Sequence, residues 1–352
     1  MTQEQAYKIE DNGKIKILRS PEYNYAFNKV NGRFMRWGKT KNDDPNFCPF
    51  GPEIADIEIT TACNGIPNAK GQRRVCSFCY KSNTPKGTYM SFETFKDIFH
   101  KLPDTLTQIA FGVDAQFLTN PDSRKIFEYS RANGVIPNVT VADVDEDTAK
   151  CLAETCGAGA VSRYADKNIC YNTIERLAKY GLRQINIHIM LSKETEANLW
   201  ETMNDFKTDP RLKHLNAIVI LSLKKKGRGE VYNQVSQEAF KKIVDFALAG
   251  GIPIGFDSCS CPKFLKSVDD SPNKEFFQSV SEPCESGLFS MYIDVEGIWH
   301  PCSFMADTGS WTQGIDMKKV NDFLSEVWYN SSVEGWRNKL LAKNRECPEF
   351  TI

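Results

Sequence analysis

From Ile54 onward, short apolar runs alternate with longer stretches whose apolar residues recur every three or four positions. That rhythm belongs to a parallel sheet covered by helices, whose doubly buried strands read as nearly continuous apolar segments. It predicts strands over residues 55–60, 108–112, 137–141, 158–163, 184–191, 217–223 and 252–257. Between them, Ser91 can cap a helix, Asn120 with Pro121 opens a second that Gly134 closes, and Asn172 precedes a third that Gly181 ends. Ser236 opens a fourth, which stops at Gly250 and Gly251. Six or seven β-α units over residues 52–258 predict an α/β fold, a partial (β/α)6 barrel of TIM type, with its chemistry at the C-terminal ends of the strands. Residues 1–51 read as an irregular lead-in. Residues 259–352, with a hairpin-like stretch MYIDVEGIWHPCSF and two helical segments, read as a smaller C-terminal α+β domain.

Composition narrows the function classes. The 352 residues carry 44 Lys and Arg against 45 Asp and Glu, so the balance demands no polyanionic partner. One basic run, Lys224, Lys225, Lys226 and Arg228, reads as a solvated loop after a strand. Neither a signal-like apolar stretch nor a membrane-length run occurs, which gives the expectation of a cytoplasmic protein with no membrane partner. Twelve cysteines in a reducing compartment point to metal or iron-sulfur ligation rather than to disulfides.

Three of these cysteines stand where a barrel places its chemistry. The segment IEITTACNGIPNAKGQRRVCSFCYKSN sets Cys63, Cys76 and Cys79 directly after the first predicted strand. Three thiolates can hold three irons of a [4Fe-4S] cluster and leave the fourth free for a cofactor. Zinc is the alternative; a closed zinc site wants four ligands, and Cys48 can supply the fourth.

On Cys76, Ser77, Phe78 and Cys79 the chain resembles the radical S-adenosylmethionine (SAM) superfamily, whose signature is C-x3-C-x-aromatic-C after the first strand. The first gap departs from it, with twelve residues between Cys63 and Cys76 and an insert GIPNAKGQRR. The resemblance implies one-electron cleavage of SAM to a 5'-deoxyadenosyl radical that takes hydrogen from a substrate, fed by an electron donor such as flavodoxin or ferredoxin. It also implies SAM contacts at strand ends: Gly112 with Asp114 in AFGVDAQ, and Ser162 with Arg163 in VSRY, where an arginine fork suits a carboxylate. His188 alternates with Ile187 and Ile189 and reads either as a SAM or substrate contact or as a core histidine. Leu221 and Leu223 read as core.

Cys284, twelve residues, Gly297, four residues and Cys302 resemble the C-x9-15-G-x4-C motif of SPASM and twitch extensions, which carry auxiliary clusters. Cys347 and Cys259 complete a four-ligand set for a second [4Fe-4S] cluster, with Cys261 as a substitute for Cys259 and a zinc-stapled domain as the alternative. Cys151, Cys156 and Cys170 read as core residues. The substrate implied is a peptide or protein side chain. Because FNKVNGRFMRWGKT and SFETFKDIFHKLPDTLTQIAFG resemble radical SAM proteins of bacteriophages and gut bacteria, a nucleotide or modified thymine base is the alternative. A non-catalytic zinc-binding interaction module is the reading from another class.

Overall fold

A computed structural model describes residues 7–68, 70–306, 308, 311 and 314–352. The expected irregular lead-in is an antiparallel meander of β1 (Lys8–Asp11), β2 (Ile15–Arg19), β3 (Asn24–Asn28) and β4 (Phe34–Trp37). Two of its turns hold Asn-Gly pairs, with Gly13 at φ +80° and Gly32 at φ +73°, where a side chain would strain the backbone. Leu18 and Tyr25 pack with Phe50, Leu288 and Phe289 in a core cluster of their own. Hydrogen bonds from Lys16 Nζ to the Leu106 carbonyl and from Tyr25 Oη to that of Thr105, both 2.8 Å, pin the meander to the rest of the chain.

Next come β5 (Ile54–Glu58), a ribbon of β6 (Ile66–Pro67) and β7 (Arg73–Arg74), α1 (Phe92–Phe99), β8 (Gln108–Gly112), α2 (Ser123–Ala132), β9 (Ile136–Val141) and α3 (Glu146–Thr155). The alternation goes on through β10 (Ala158–Ser162), α4 (Lys167–Lys179), β11 (Gln184–Leu191), α5 (Glu196–Asp205), β12 (Ala217–Ser222), α6 (Gln237–Gly250) and β13 (Ile254–Phe256). All seven large-sheet strands in this region run parallel, in the spatial order 5-8-9-10-11-12-13. Ser91 and Ser236 cap α1 and α6 as expected, accepting from Thr94 N and Ala239 N at 3.2 Å. Helix α4 begins earlier than Asn172, because Asp166 caps it through Asn168 N.

The last stretch contains α7 (Cys261–Ser267), α8 (Lys274–Val280), β14 (Ser290–Ile293), β15 (Ile298–His300), β16 (Ile315–Asp316) and α9 (Ser331–Leu341). Its hairpin extends the large sheet, since β14 lies parallel to β5 with Met291 opposite Ala55. The ten-stranded sheet thus ends at β13 on one side and β16 on the other, and no ladder joins these edges among the described residues. The sheet is open among the described residues, and the hairpin is its continuation.

Strand alternation decides the faces. Ala55 and Ile57, Ile109 and Phe111, Ile185 and Ile187, and Ile218 and Ile220 are buried in the main core cluster with Phe95, Phe127 and Ile174 of the helices. The intervening residues turn to the concave face: Asp56 and Glu58, Ala110 and Gly112, Ala160 and Ser162, Asn186 and His188, Val219 and Leu221.

Candidate functional site

The loop after β5 is shaped by close backbone approach. A Cβ on Gly65, at φ +68°, would lie 1.9 Å from the Arg74 carbonyl oxygen, and one on Gly87 would lie 2.2 Å from the Thr61 carbonyl carbon. Both places admit only glycine. The insert between Cys63 and Cys76 therefore folds back on itself as the β6–β7 ribbon, with Ile66 opposite Arg74. Tyr164, just past β10, has its hydroxyl pushed up by desolvation first and then by the charges of Cys76, Cys63 and Cys79. The Phe78 ring stacks on Tyr164 with centroids 5.6 Å apart and meets Tyr232 edge-on at 5.8 Å.

The three thiols differ in surroundings. Cys76 donates a hydrogen bond to Cys79, which holds the Cys79 thiol below its ordinary range and pushes that of Cys76 up. Cys63 Sγ accepts from Gly65 N at 3.4 Å. Among the described residues no three His, Cys, Asp or Glu side chains converge tightly enough to hold a single metal ion. Cys48, the candidate fourth zinc ligand, is buried in the second core cluster, where desolvation pushes its thiol up to about 12.

The SAM-contact candidates separate. Gly112 lies at the concave C-terminal end of β8, where a Cβ would meet Glu58 Cα at 3.2 Å. Ser162 and His188 are register partners on the same face, and burial pushes His188 down to about 4. Asp114 is turned into its own loop, accepting from Gln116 N and Thr119 N at 3.1 Å. Arg163 points to the helix side, as alternation from Ser162 requires, and pairs with Glu201 of α5 at 2.5 Å. Two of its guanidinium nitrogens are buried without a hydrogen-bond partner, so the geometry does not present this arginine to the concave face.

Several concave-face residues escape the sequence reading. Glu58 is buried, pairs with Lys81 at 3.4 Å, and has its carboxyl pushed up by burial. Lys81 Nζ also donates to Tyr292 Oη at 2.8 Å. Asp56 sits two residues earlier on the same face, pushed up to about 7 by desolvation and the Glu285 charge. The signal was available: in IADIE the carboxylates alternate with Ala55 and Ile57.

A second set of thiols flanks the strand ends near β13 and β14. Cys259 follows β13, Cys284 precedes β14, Cys302 follows β15 and Cys347 follows α9. Cys284 donates to Cys259, which with the Lys224 charge lowers the Cys259 thiol and raises that of Cys284. Cys302 and Cys347 both feel the charge on Cys259. Cys261 is fully buried at the head of α7 and faces Glu282 and Arg345 instead. Arg345 Nε donates to the Cys284 carbonyl at 2.9 Å and so holds the Cys347 end of the chain against Cys284. A cleft of about 610 Å³ reaches Cys259 and Cys347 from outside, with Lys263, Lys266, Lys343 and Glu346 on its walls. Cys151, Cys156 and Cys170 lie in the main core.

The basic run departs from expectation. Lys225 is exposed, but Lys224 is 5 % exposed and bonded to Asp257, and Lys226 and Arg228 turn inward onto the two thiol-bearing regions.

No protein-family model matches the chain, and no curated protein matches it. Among solved structures it is similar to the crystal structure of BtrN in complex with AdoMet and 2-DOIA, with a TM-score of 0.42 and 12 % identity over 86 % of this chain and 93 % of that one. A likeness at that level carries no functional argument, which rests on the chain's own residues. No helix among the described residues is long and apolar enough to cross a membrane.

Proposed function

We propose that the chain is a radical SAM enzyme, with Cys63, Cys76 and Cys79 holding a [4Fe-4S] cluster beside the open sheet. What supports this reading is that three thiols stand on one loop directly after β5, at the C-terminal end of the parallel strands, and that Phe78 of this loop stacks on Tyr164 just past β10. The donor set fits the group: all three are soft sulfur ligands, and three of them leave one iron of a cubane without a protein ligand. When bound, such a cluster supplies the electron that splits SAM into methionine and a 5'-deoxyadenosyl radical.

The chain's own residues position and shield. Gly112 lets β8 pack closely against Glu58 at the strand ends where the cofactor is proposed to bind, and Ser162 with His188 lies on the same face. Phe78, Tyr164 and Tyr232 form an aromatic wall that excludes water beside the thiols. A second [4Fe-4S] cluster on Cys259, Cys284, Cys302 and Cys347 completes the proposal; four thiolates leave it no open iron, which suits electron transfer rather than SAM binding.

The substrate proposed is a peptide or protein side chain, not a nucleotide. The face that presents Asp56 and Glu58 has Lys81 already paired with Glu58, which favours a neutral or cationic group over a phosphate there. The electron comes from a carrier of the flavodoxin or ferredoxin type. A cytoplasmic setting suits the twelve free thiols.

Anaerobic reconstitution tests the reading: about eight irons per chain are expected, with release of 5'-deoxyadenosine on addition of SAM and dithionite. Joint replacement of Cys63, Cys76 and Cys79 by Ala should abolish that release and leave about four irons. Stoichiometric zinc with a tetrahedral sulfur signature, and no iron uptake, would sink the enzyme and favour a zinc-binding interaction module.

A further inference from the structure

The segment after β12 carries cations at three alternate positions, two of which meet Phe304 while the third reaches the first cysteine loop. Lys224 Nζ bonds to Asp257 at 2.5 Å and lies 4.6 Å above the Phe304 ring. Lys226 Nζ donates to the carbonyls of Phe304, at 2.9 Å, and Ala306, in the loop after Cys302. Arg228 reaches the other way. Its main-chain N donates to the Cys79 carbonyl at 3.1 Å, its Nε to that of Cys76 at 2.9 Å and its Nη2 to that of Asn83 at 3.0 Å.

The backbone lies equally close. A Cβ on Gly227, at φ +56°, would stand 2.4 Å from the Tyr80 carbonyl oxygen and 2.8 Å from that of Cys79, and one on Gly229 would stand 3.3 Å from that of Phe78. Residues 76–83 form no strand or helix; inside the segment Cys79 N donates to the Cys76 carbonyl at 3.4 Å and Ser82 N to that of Cys79 at 3.1 Å, and Arg228 adds donors to both from outside it. A planar guanidinium fork supplies two donors in fixed directions, which an ammonium cannot.

We propose that residues 224–229 are a brace that presets the first cysteine loop before any cofactor binds, with Arg228 as its positioning residue and Lys224 and Lys226 as its anchors. The metal-site part of this inference rests on the proposed function; the bracing of the loop does not. The guanidinium also sets a positive charge beside two thiolate ligands, which stabilises the more negative, reduced state of a cluster there.

The experiment compares the anaerobically purified wild type with Arg228→Gln, Arg228→Lys and Lys226→Met by hydrogen exchange and by redox titration of the cluster signal. Arg228→Gln is expected to speed exchange of the amides of residues 76–83 about tenfold or more and to move the first cluster's midpoint to a more negative potential. Arg228→Lys should restore the midpoint but not the slow exchange. Lys226→Met, which touches none of these amides, should speed their exchange to a smaller degree, an effect a purely local contact would not produce. If Arg228→Gln fails to fold, the other two variants decide. Wild-type exchange over residues 76–83 in every variant that folds overturns the brace. A wild type that takes up no iron overturns the proposed function, while the exchange comparison still decides the brace.

Discussion

The ring of Tyr80 stacks on the ring of Phe304, centroids 4.3 Å apart and planes 22° from parallel. Tyr80 directly follows Cys79 and Phe304 comes two residues after Cys302, so one aromatic contact joins the two thiol groups. Phe350, three residues after Cys347, meets the far side of the junction edge-on at 5.9 Å. Phe304→Ala should therefore lower the unfolding free energy by about 3 kcal/mol, and Phe304→Leu by about 1, in anaerobic urea titrations. Unchanged midpoints in both would mean that the ring packs against nothing of consequence.

Cys259 and Cys261 are two residues apart but face different neighbours, the former Cys284 and Lys224, the latter Glu282 and Arg345. Replacing Cys259 by Ala should remove about four irons per chain from the reconstituted protein, while Cys261→Ala should retain all of them. Metal analysis of the two variants reads this directly. Iron loss in Cys261→Ala alone would reverse the ligand assignment.

What the sequence discloses follows from the range of the interactions involved. The strands after Ile54 are legible because each is a local apolar run, and the caps at Ser91 and Ser236 because a side chain meets an amide three residues on. The meander was equally local, signalled by Asn12-Gly13 and Asn31-Gly32 between alternating residues, but its strands are short and mix buried Lys16 with exposed Ile15. The seating of β14 against β5 is another matter, since that pairing spans more than two hundred residues. The same holds for Arg228. A charge run is ordinarily solvated, and only the folded chain reveals three carbonyls from residues 76–83 facing it.

Arg36 is the buried cation of a carboxylate cluster. It grips Glu53 with two bonds of 2.9 Å, reaches Glu285 at 3.2 Å, and lies 3.4 Å over the Phe289 ring. The cluster ties β4 to the start of β5 and to the residue after Cys284. Arg36→Met strands Glu53 in the interior and should cost about 3–5 kcal/mol in guanidinium unfolding. Adding Glu53→Gln to that variant should recover part of the loss, because the stranded charge is gone. Strict additivity of the two substitutions would contradict the pairing.

His188 gives the fold a pH dependence with a definite sign. Burial on the concave face disfavours its charged form and holds it at about 4, against 6.5 for a free imidazole, with the Asp257 charge opposing the shift only in part. The folded chain thus binds this proton less readily than the unfolded one. The stability it contributes is complete above pH 6.5 and drains away as the pH falls toward 4. Between pH 7.5 and 5.5 that loss amounts to about 1.3 kcal/mol, and its full extent to about 3. His188→Asn, which cannot titrate, should show a correspondingly shallower fall in urea midpoint over the same interval, with the two proteins diverging most at the acid end. Parallel curves would mean that the imidazole is hydrated in the folded chain, and the concave face would then be wetter than its packing implies.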